Sequence, residues 1–243
     1  MSDDEIEVSS EIKVVLLGES GVGKSSIIKQ YVNNVFDPDI NASISSKYIS
    51  KEVFVKDLNK KLKLNLWDTA GQEKYRALVK IFYKDAQIII FVYNIINLES
   101  FESLKTFWYK QVKENCLKNA IFAVVGNKID LYNQSQVKEE EAREWADSIN
   151  AIFQLTSART NSGIDLLFQN LSKKFLDPDF DYKKNDEEDK NNYEKKKKEQ
   201  EENKKKEKEE DEEDDTVKIP QIHNITLDKK DIVDDNPKKK SCC

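Results

Sequence analysis

The chain has 243 residues, and its 40 Lys+Arg against 46 Asp+Glu leave a net charge of −6. That is room for one sizeable domain with an appendage, with too little positive charge for nucleic acid to be the main partner. The single histidine, His223, and the three cysteines, Cys116, Cys242 and Cys243, exclude histidine triads, histidine zinc sites and a disulfide framework from the domain and point to a reducing compartment.

Charge is unevenly spread. Residues 1–176 carry 23 basic and 23 acidic side chains, which leaves 17 and 23 for residues 177–243 (40 − 23 and 46 − 23). Residues 1–11 are acidic and lack an apolar core, so they read as a disordered arm, not a signal peptide. Ser2 stands where N-myristoylation needs glycine. Ile12–Leu17 reads as a buried strand and Lys24–Val32 as a helix, with Phe36–Ser46 a polar loop after it. Tyr48–Val55 and Leu62–Trp67 alternate and flank a charged turn, so they predict a hairpin. Lys74–Lys84 is mixed and partly helical. Ile88–Tyr93 is a continuous apolar strand. Phe101–Val112 has helical spacing, with Phe101, Leu104, Phe107, Trp108 and Val112 on one side for packing against a sheet. Ile121–Val125 and Ile152–Leu155 are strands, and Val137–Ile149 and Ile164–Leu176 are helices.

Repeated alternation of strand and helix implies an α/β fold: a mostly parallel six-stranded sheet with helices on both faces. Ligands of such sheets bind at the carboxyl ends of strands. No apolar run approaches the ~18 residues of a membrane span. Beyond residue 177 the chain changes character, and Lys183–Asp215 is almost wholly Lys, Glu, Asp and Asn. Such a segment cannot bury a core and reads as a solvated linker within a long disordered tail. The expected organisation is thus an arm (1–11), a domain (12–176) and a tail (177–243).

Four segments follow strands and carry the chemistry. Gly18-Glu19-Ser20-Gly21-Val22-Gly23-Lys24-Ser25 fits G-x-x-x-x-G-K-[ST], the phosphate-binding loop. Its glycines let backbone N–H groups turn inward, the next helix adds its positive N-terminus, Lys24 adds a full charge, and Ser25 offers a hard oxygen suited to Mg²⁺. The other three are Trp67–Glu73 (WDTAGQE), Gly126–Asp130 (GNKID) and Thr156–Ala158 (TSA). The remaining glycines, Gly71, Gly126 and Gly163, each stand near such a segment.

In this order and spacing these segments resemble the Ras superfamily of small GTPases and, within it, the Rab family. The resemblance covers about residues 10–176 and the last two residues. It implies the fold of phosphate-loop small GTPases, with GTP or GDP and Mg²⁺ as ligands, and the following roles. Ser20, Gly21, Val22, Gly23, Lys24, Ser25 and Ser26 cradle the phosphates, with Lys24 on the β- and γ-phosphates. Ser25 ligates Mg²⁺ and Asp68 holds it through water. Gly71 senses the γ-phosphate through its N–H, and Gln72 orients the attacking water as the catalytic residue. Asp130 accepts the two donors on one edge of guanine, which adenine lacks, and Asn127 reads the neighbouring edge. Lys128 lies along the base, Ser157, Ala158 and Arg159 complete its site with the Ala158 N–H on the guanine oxygen, and Phe36 packs edge-on to the base.

Two departures stand out. Ser43 replaces the threonine that joins Mg²⁺ when GTP is bound, followed by Ile44-Ser45-Ser46-Lys47-Tyr48 in place of I-G-x-x-F. Arg159 stands where the family has lysine. Asn97-Leu98-Glu99-Ser100-Phe101 leans toward the endocytic Rab branch. The ending, Lys238-Lys239-Lys240-Ser241-Cys242-Cys243, matches a Rab terminus and implies geranylgeranylation of Cys242 and Cys243, two chains being what stable anchoring requires. Residues 177–241 would tether the domain over a coil span of about 45 Å.

The resemblance therefore implies a monomeric, membrane-anchored GTP/GDP switch of vesicle traffic. It would sit on the cytoplasmic face of an endomembrane, endosomal by its branch, cycling with the cytosol. Its partners would be exchange factors, activating proteins, effectors, and prenylation escort and GDP-dissociation-inhibitor proteins, with no nucleic acid. With no arginine evident in cis, turnover would be slow. The competing class is a nucleotide-locked scaffold that binds guanine nucleotide without productive hydrolysis.

Overall fold

A computed structural model describes residues 8–38, 47–69 and 79–183 of the chain. Six strands form one sheet in the order β2-β3-β1-β4-β5-β6. They are β1 (Val8–Leu17), β2 (Lys47–Val55), β3 (Lys60–Asp68), β4 (Ile88–Asn94), β5 (Ile121–Asn127) and β6 (Ala151–Thr156). β2 is antiparallel to β3, and every other pair is parallel. The helices are α1 (Lys24–Asn33), α2 (Val79–Tyr83), α3 (Leu98–Ser103), α4 (Tyr109–Lys113), α5 (Glu139–Ser148) and α6 (Ile164–Leu176). A π-helical segment, Leu104–Trp108, joins α3 to α4 in one rod.

Side chains alternate along β1, and this splits the core in two. Ile12, Val14 and Leu16 pack with Ile27, Ile28 and Tyr31 of α1 and with Leu167, Phe168 and Leu171 of α6. Val15 and Leu17 face the other way, toward Phe101, Leu104, Trp108 and Val112 of the rod and Ala142 and Ala146 of α5. β4 lies mid-sheet and is buried along its whole length, which is why it reads as an unbroken apolar run. The aromatic stripe expected on 101–112 is core, with Phe107 only half-buried.

Two boundaries move. Residues 8–11, expected in the disordered arm, lengthen β1. They pair with Lys61–Lys63 of β3, Ser9 Oγ donates to the Lys61 carbonyl at 2.8 Å, and Lys63 pairs with Glu11 at 2.8 Å. A polar strand end is stable here because its neighbour supplies the hydrogen bonds, which no local pattern reveals. The domain also runs past Leu176. The Tyr182 hydroxyl donates to the Ala151 carbonyl at 3.1 Å, and Lys183 pairs with Asp147 at 2.8 Å. The hairpin lies where it is expected, with a 3₁₀ turn at Lys56–Leu58. Residues 1–7, most of the loop 36–46, residues 70–78 and the tail from 184 lie outside the described residues.

Candidate functional site

The parallel strands point their carboxyl ends at one edge. β1 delivers Gly18, β3 ends at Asp68, β5 ends at Asn127, and Thr156 ends β6. Topology alone thus brings together segments more than a hundred residues apart.

The phosphate loop spans the end of β1 and the start of α1. Gly21 and Gly23 hold φ +75° and +101°, and Gly23 is the N-cap of α1. A Cβ on Gly23 would lie 2.3 Å from Asn127 Nδ2, so only glycine lets the loop touch the base segment. Lys24 is 5% exposed, and its Nζ donates to the carbonyls of Gly18 and Glu19, both at 2.8 Å. Burial pulls its pKa down from 10.5 to about 8, against the opposing pull of Asp68 and Glu19. An ammonium held only by carbonyl dipoles and two nearby carboxylates gains from a phosphate at the same place. Ser25 and Ser26 open α1 half-buried, Val22 is buried, and Ser20 and Gly21 are exposed at the turn.

Asn127 is the hub of the site. Its Nδ2 donates to the Val22 carbonyl at 2.9 Å, which ties β5 to the phosphate loop. Its Oδ1 accepts from Thr156 Oγ1 at 3.2 Å and from the Ala158 N–H at 3.3 Å, which ties β5 to β6. Lys128, at φ +73°, runs back along the site, and its Nζ donates to the Gly21 carbonyl at 2.8 Å. Burial lowers its pKa, with Asp130 opposing. Asp130 is exposed, and one carboxylate oxygen accepts from Ser157 Oγ at 2.6 Å. Arg159 is exposed just beyond, and Phe36 is 38% exposed in the irregular stretch after α1.

Asp68 is buried at the end of β3, 4% exposed, close enough to Lys24 to hold up its charge. The Ser25 hydroxyl and the Asp68 carboxylate are hard oxygen donors, the set Mg²⁺ takes alongside phosphate oxygens. No cluster of three or more His, Cys, Asp and Glu suited to a metal occurs among the described residues. Ser43, Gly71, Gln72, Cys242 and Cys243 lie outside the described residues.

Three residues of the site were not read from the sequence. Thr156, the first residue of TSA, orients the Asn127 amide. Thr69 donates its hydroxyl to the Leu16 carbonyl at 2.6 Å and locks β3 to β1 beside the loop. Glu19 reaches the rod with its side chain. Gly126, in contrast, serves packing: a Cβ there would strike the Tyr93 hydroxyl at 2.6 Å.

The folded domain resembles known proteins along its length. A model of the Ras family matches residues 13–177. Human Ras-related protein Rab-22A is 42% identical over 165 residues, which cover 68% of this chain and 83% of that protein. Human Ras-related protein Rab-31 is 40% identical over 170 residues, 69% of this chain and 86% of that protein. RabJ of Dictyostelium discoideum is 35% identical over 173 residues, 71% and 66%. The matched span starts inside β1 and ends just past α6, so the likeness covers the folded domain and stops short of the tail. A likeness of that extent means that the chain belongs to the Ras family and is a Rab-type GTPase, hydrolysing GTP to GDP and phosphate.

Proposed function

We propose that this GTP-binding switch of vesicle traffic is anchored to membrane by lipid on Cys242 and Cys243 and hydrolyses GTP slowly by itself. The Asn127 hub carries the reading. One side chain joins the loop that would hold phosphate to the segments that would hold guanine, so the site is built for a whole guanine nucleotide.

Lys24 would meet the β- and γ-phosphates, with the loop N–H groups around them. Ser25, Ser43 and water on Asp68 would hold Mg²⁺, which supplies positive charge against the phosphates. Asp130, steadied by Ser157, would accept the two guanine donors. Gln72 would orient the attacking water. The chain has only three arginines, Arg76, Arg143 and Arg159. Arg143 pairs with Glu139 on α5, Arg159 follows the segment at Asn127–Asp130 in the fold, and Arg76, outside the described residues, stands four positions after Gln72 on the stretch that would carry the attacking water's partner. An activating protein would therefore supply the missing cation, and intrinsic turnover would be on the order of 10⁻⁴–10⁻³ s⁻¹, as in Ras.

An aromatic patch supports the reading that regulators and effectors sense the nucleotide. The rings of Tyr48 and Trp67 lie 5.4 Å apart, and those of Trp67 and Phe82 lie 6.5 Å apart. Tyr48 is 51% exposed and follows residues 39–46; Trp67 and Phe82 flank residues 70–78. Those two stretches hold Ser43, Gly71 and Gln72, so the patch adjoins in sequence the segments that would feel the γ-phosphate. By the identity of its relatives the protein would serve the endocytic branch, on the cytoplasmic face of endosomal membrane, as a monomer cycling with the cytosol through escort and GDP-dissociation-inhibitor proteins.

Single-turnover GTP hydrolysis by wild type and Gln72→Leu tests the enzyme half. The expected result is slow hydrolysis that falls by roughly 10- to 100-fold in the variant. Equal rates would make the protein a nucleotide-locked scaffold. Imaging the tagged protein beside the Cys242→Ser/Cys243→Ser double variant tests the anchor: membrane signal for the first and diffuse signal for the second is expected. Diffuse signal for both would remove the membrane half.

A further inference from the structure

We propose that Glu19 is a positioning residue of the phosphate loop, held by a polar pair that brackets the π segment of the α3–α4 rod. Glu19 follows Gly18 directly, within the loop. Its Oε1 accepts from Trp108 Nε1 at 3.1 Å and from Ser103 Oγ. Its backbone carbonyl accepts from Lys24 Nζ at 2.8 Å. One residue thus grips the rod with its side chain and the phosphate lysine with its main chain. Its carboxylate also favours the charged form of Lys24.

The two donors stand at either end of one irregular turn. Ser103 ends α3, Trp108 ends the π segment, and the Tyr109 N–H donates to the Leu104 carbonyl across five residues in place of four. A π turn takes up an extra residue within a helix and is frequent at functional sites. Here the turn ends on a tryptophan only 2% exposed. A buried indole N–H needs an acceptor. Glu19 is that acceptor, and a carboxylate makes it a charge-assisted bond. The indole ring is fixed on the sheet by Phe107 and by the second core, so the bond transfers the rigidity of the rod to the loop. On its other side Glu19 lines an open cleft of about 460 Å³, shared with Ser20, Gly21, Asn97, Glu99 and Ser103. Truncating Glu19 therefore admits water and leaves no sealed void in the core.

The inference rests on the reading of Lys24 as the lysine of the β-phosphate, and the experiment separates the two. Release of fluorescent GDP from the full-length protein is measured for wild type, Glu19→Ala, Glu19→Gln, Ser103→Ala, Trp108→Phe and Trp108→Phe/Glu19→Ala. GDP and GMP affinities are measured alongside. Trp108→Phe keeps a ring and removes the donor; Glu19→Gln keeps the acceptor. Glu19→Ala, which loses both bonds, is expected to speed GDP release about tenfold and Trp108→Phe, which loses one, about threefold, and the double variant to match Glu19→Ala within about twofold, because the Trp108 bond cannot be lost twice. Glu19→Gln is expected within about threefold of wild type. The loss should fall on GDP and spare GMP, which has no β-phosphate for Lys24 to meet. Unchanged release in Trp108→Phe, additive effects in the double variant, or equal losses for GDP and GMP would each overturn the proposal. If Glu19→Ala does not fold, Trp108→Phe and Ser103→Ala carry the same test. Lys24→Ala checks the underlying reading independently: it should abolish the preference for GDP over GMP whatever the Glu19 variants do.

Discussion

Raising the pH from 7 to 9 is expected to weaken GDP binding by the nucleotide-free protein about tenfold, through Lys24. Burial brings the pKa of this lysine from 10.5 to about 8. With a pKa near 8, about nine-tenths of the molecules carry the ammonium at pH 7 and about one-tenth at pH 9. Phosphate binds the ammonium form, so affinity follows that fraction, and binding at pH 9 takes up about 0.9 proton. Free-protein stability moves the other way. The folded state resists protonation at Lys24, and the interval from 10.5 to about 8 corresponds to a cost of about 3 kcal/mol, present in full below pH 8 and relieved as the pH rises from 8 to 10.5. Calorimetric titration of GDP into nucleotide-free protein, without Mg²⁺ and in two buffers of different ionisation enthalpy, reads affinity and proton uptake together. Lys24→Arg is the control, because a guanidinium stays charged throughout. Deprotonation of guanine at high pH weakens both proteins alike, so the difference between them isolates Lys24. Equal pH profiles for wild type and Lys24→Arg would refute the reasoning.

Four further substitutions probe the same edge and its support. Gly23→Ala would place a Cβ 2.3 Å from Asn127 Nδ2 at φ +101°, breaking the Asn127–Val22 bond; a loss of about 2–3 kcal/mol in denaturant stability is expected. Gly21→Ala, whose Cβ meets nothing within 4 Å, should cost only about 1–2 kcal/mol from backbone strain, and equal losses would count against the hub. Ser157→Ala removes the 2.6 Å bond to Asp130 and should lower GDP affinity roughly tenfold by equilibrium titration; unchanged affinity would mean that Asp130 is held otherwise. Phe168→Ala removes the ring stacked 3.8 Å from Tyr31 between α6 and α1, for an expected loss of about 3–5 kcal/mol in urea unfolding. A loss below about 1 kcal/mol would show that this stack is not a core contact.

The elements were legible where local pattern and tertiary environment agree. β4 is apolar because both of its faces are covered, and α6 runs from Ile164 to Leu176 in sequence and structure alike. The ends of β1 and of the domain were not legible. Val8–Glu11 is polar and owes its extension to β3, and Tyr182 and Lys183 owe theirs to Ala151 and Asp147. The π turn was invisible too, because Phe101, Leu104, Trp108 and Val112 suit an ordinary helix as well.

By itself the sequence determined the residue types: a lysine and a serine after a glycine-rich loop, an asparagine and an aspartate three apart after a strand, and two adjacent cysteines after a lysine run. These are choices of residue type, and residue type survives without a structure. Only the tertiary structure decided how the segments hold one another. It put Asn127 between Val22, Thr156 and Ala158, sent Lys128 back to Gly21, and set Trp108 against Glu19. Hydrogen bonds across 29 to 107 positions depend on strand order and on the parallel edge. No local pattern carries that information, because Val22, Ala158 and Gly21 take part through backbone groups that every residue carries and that meet their partners only when the sheet brings them together.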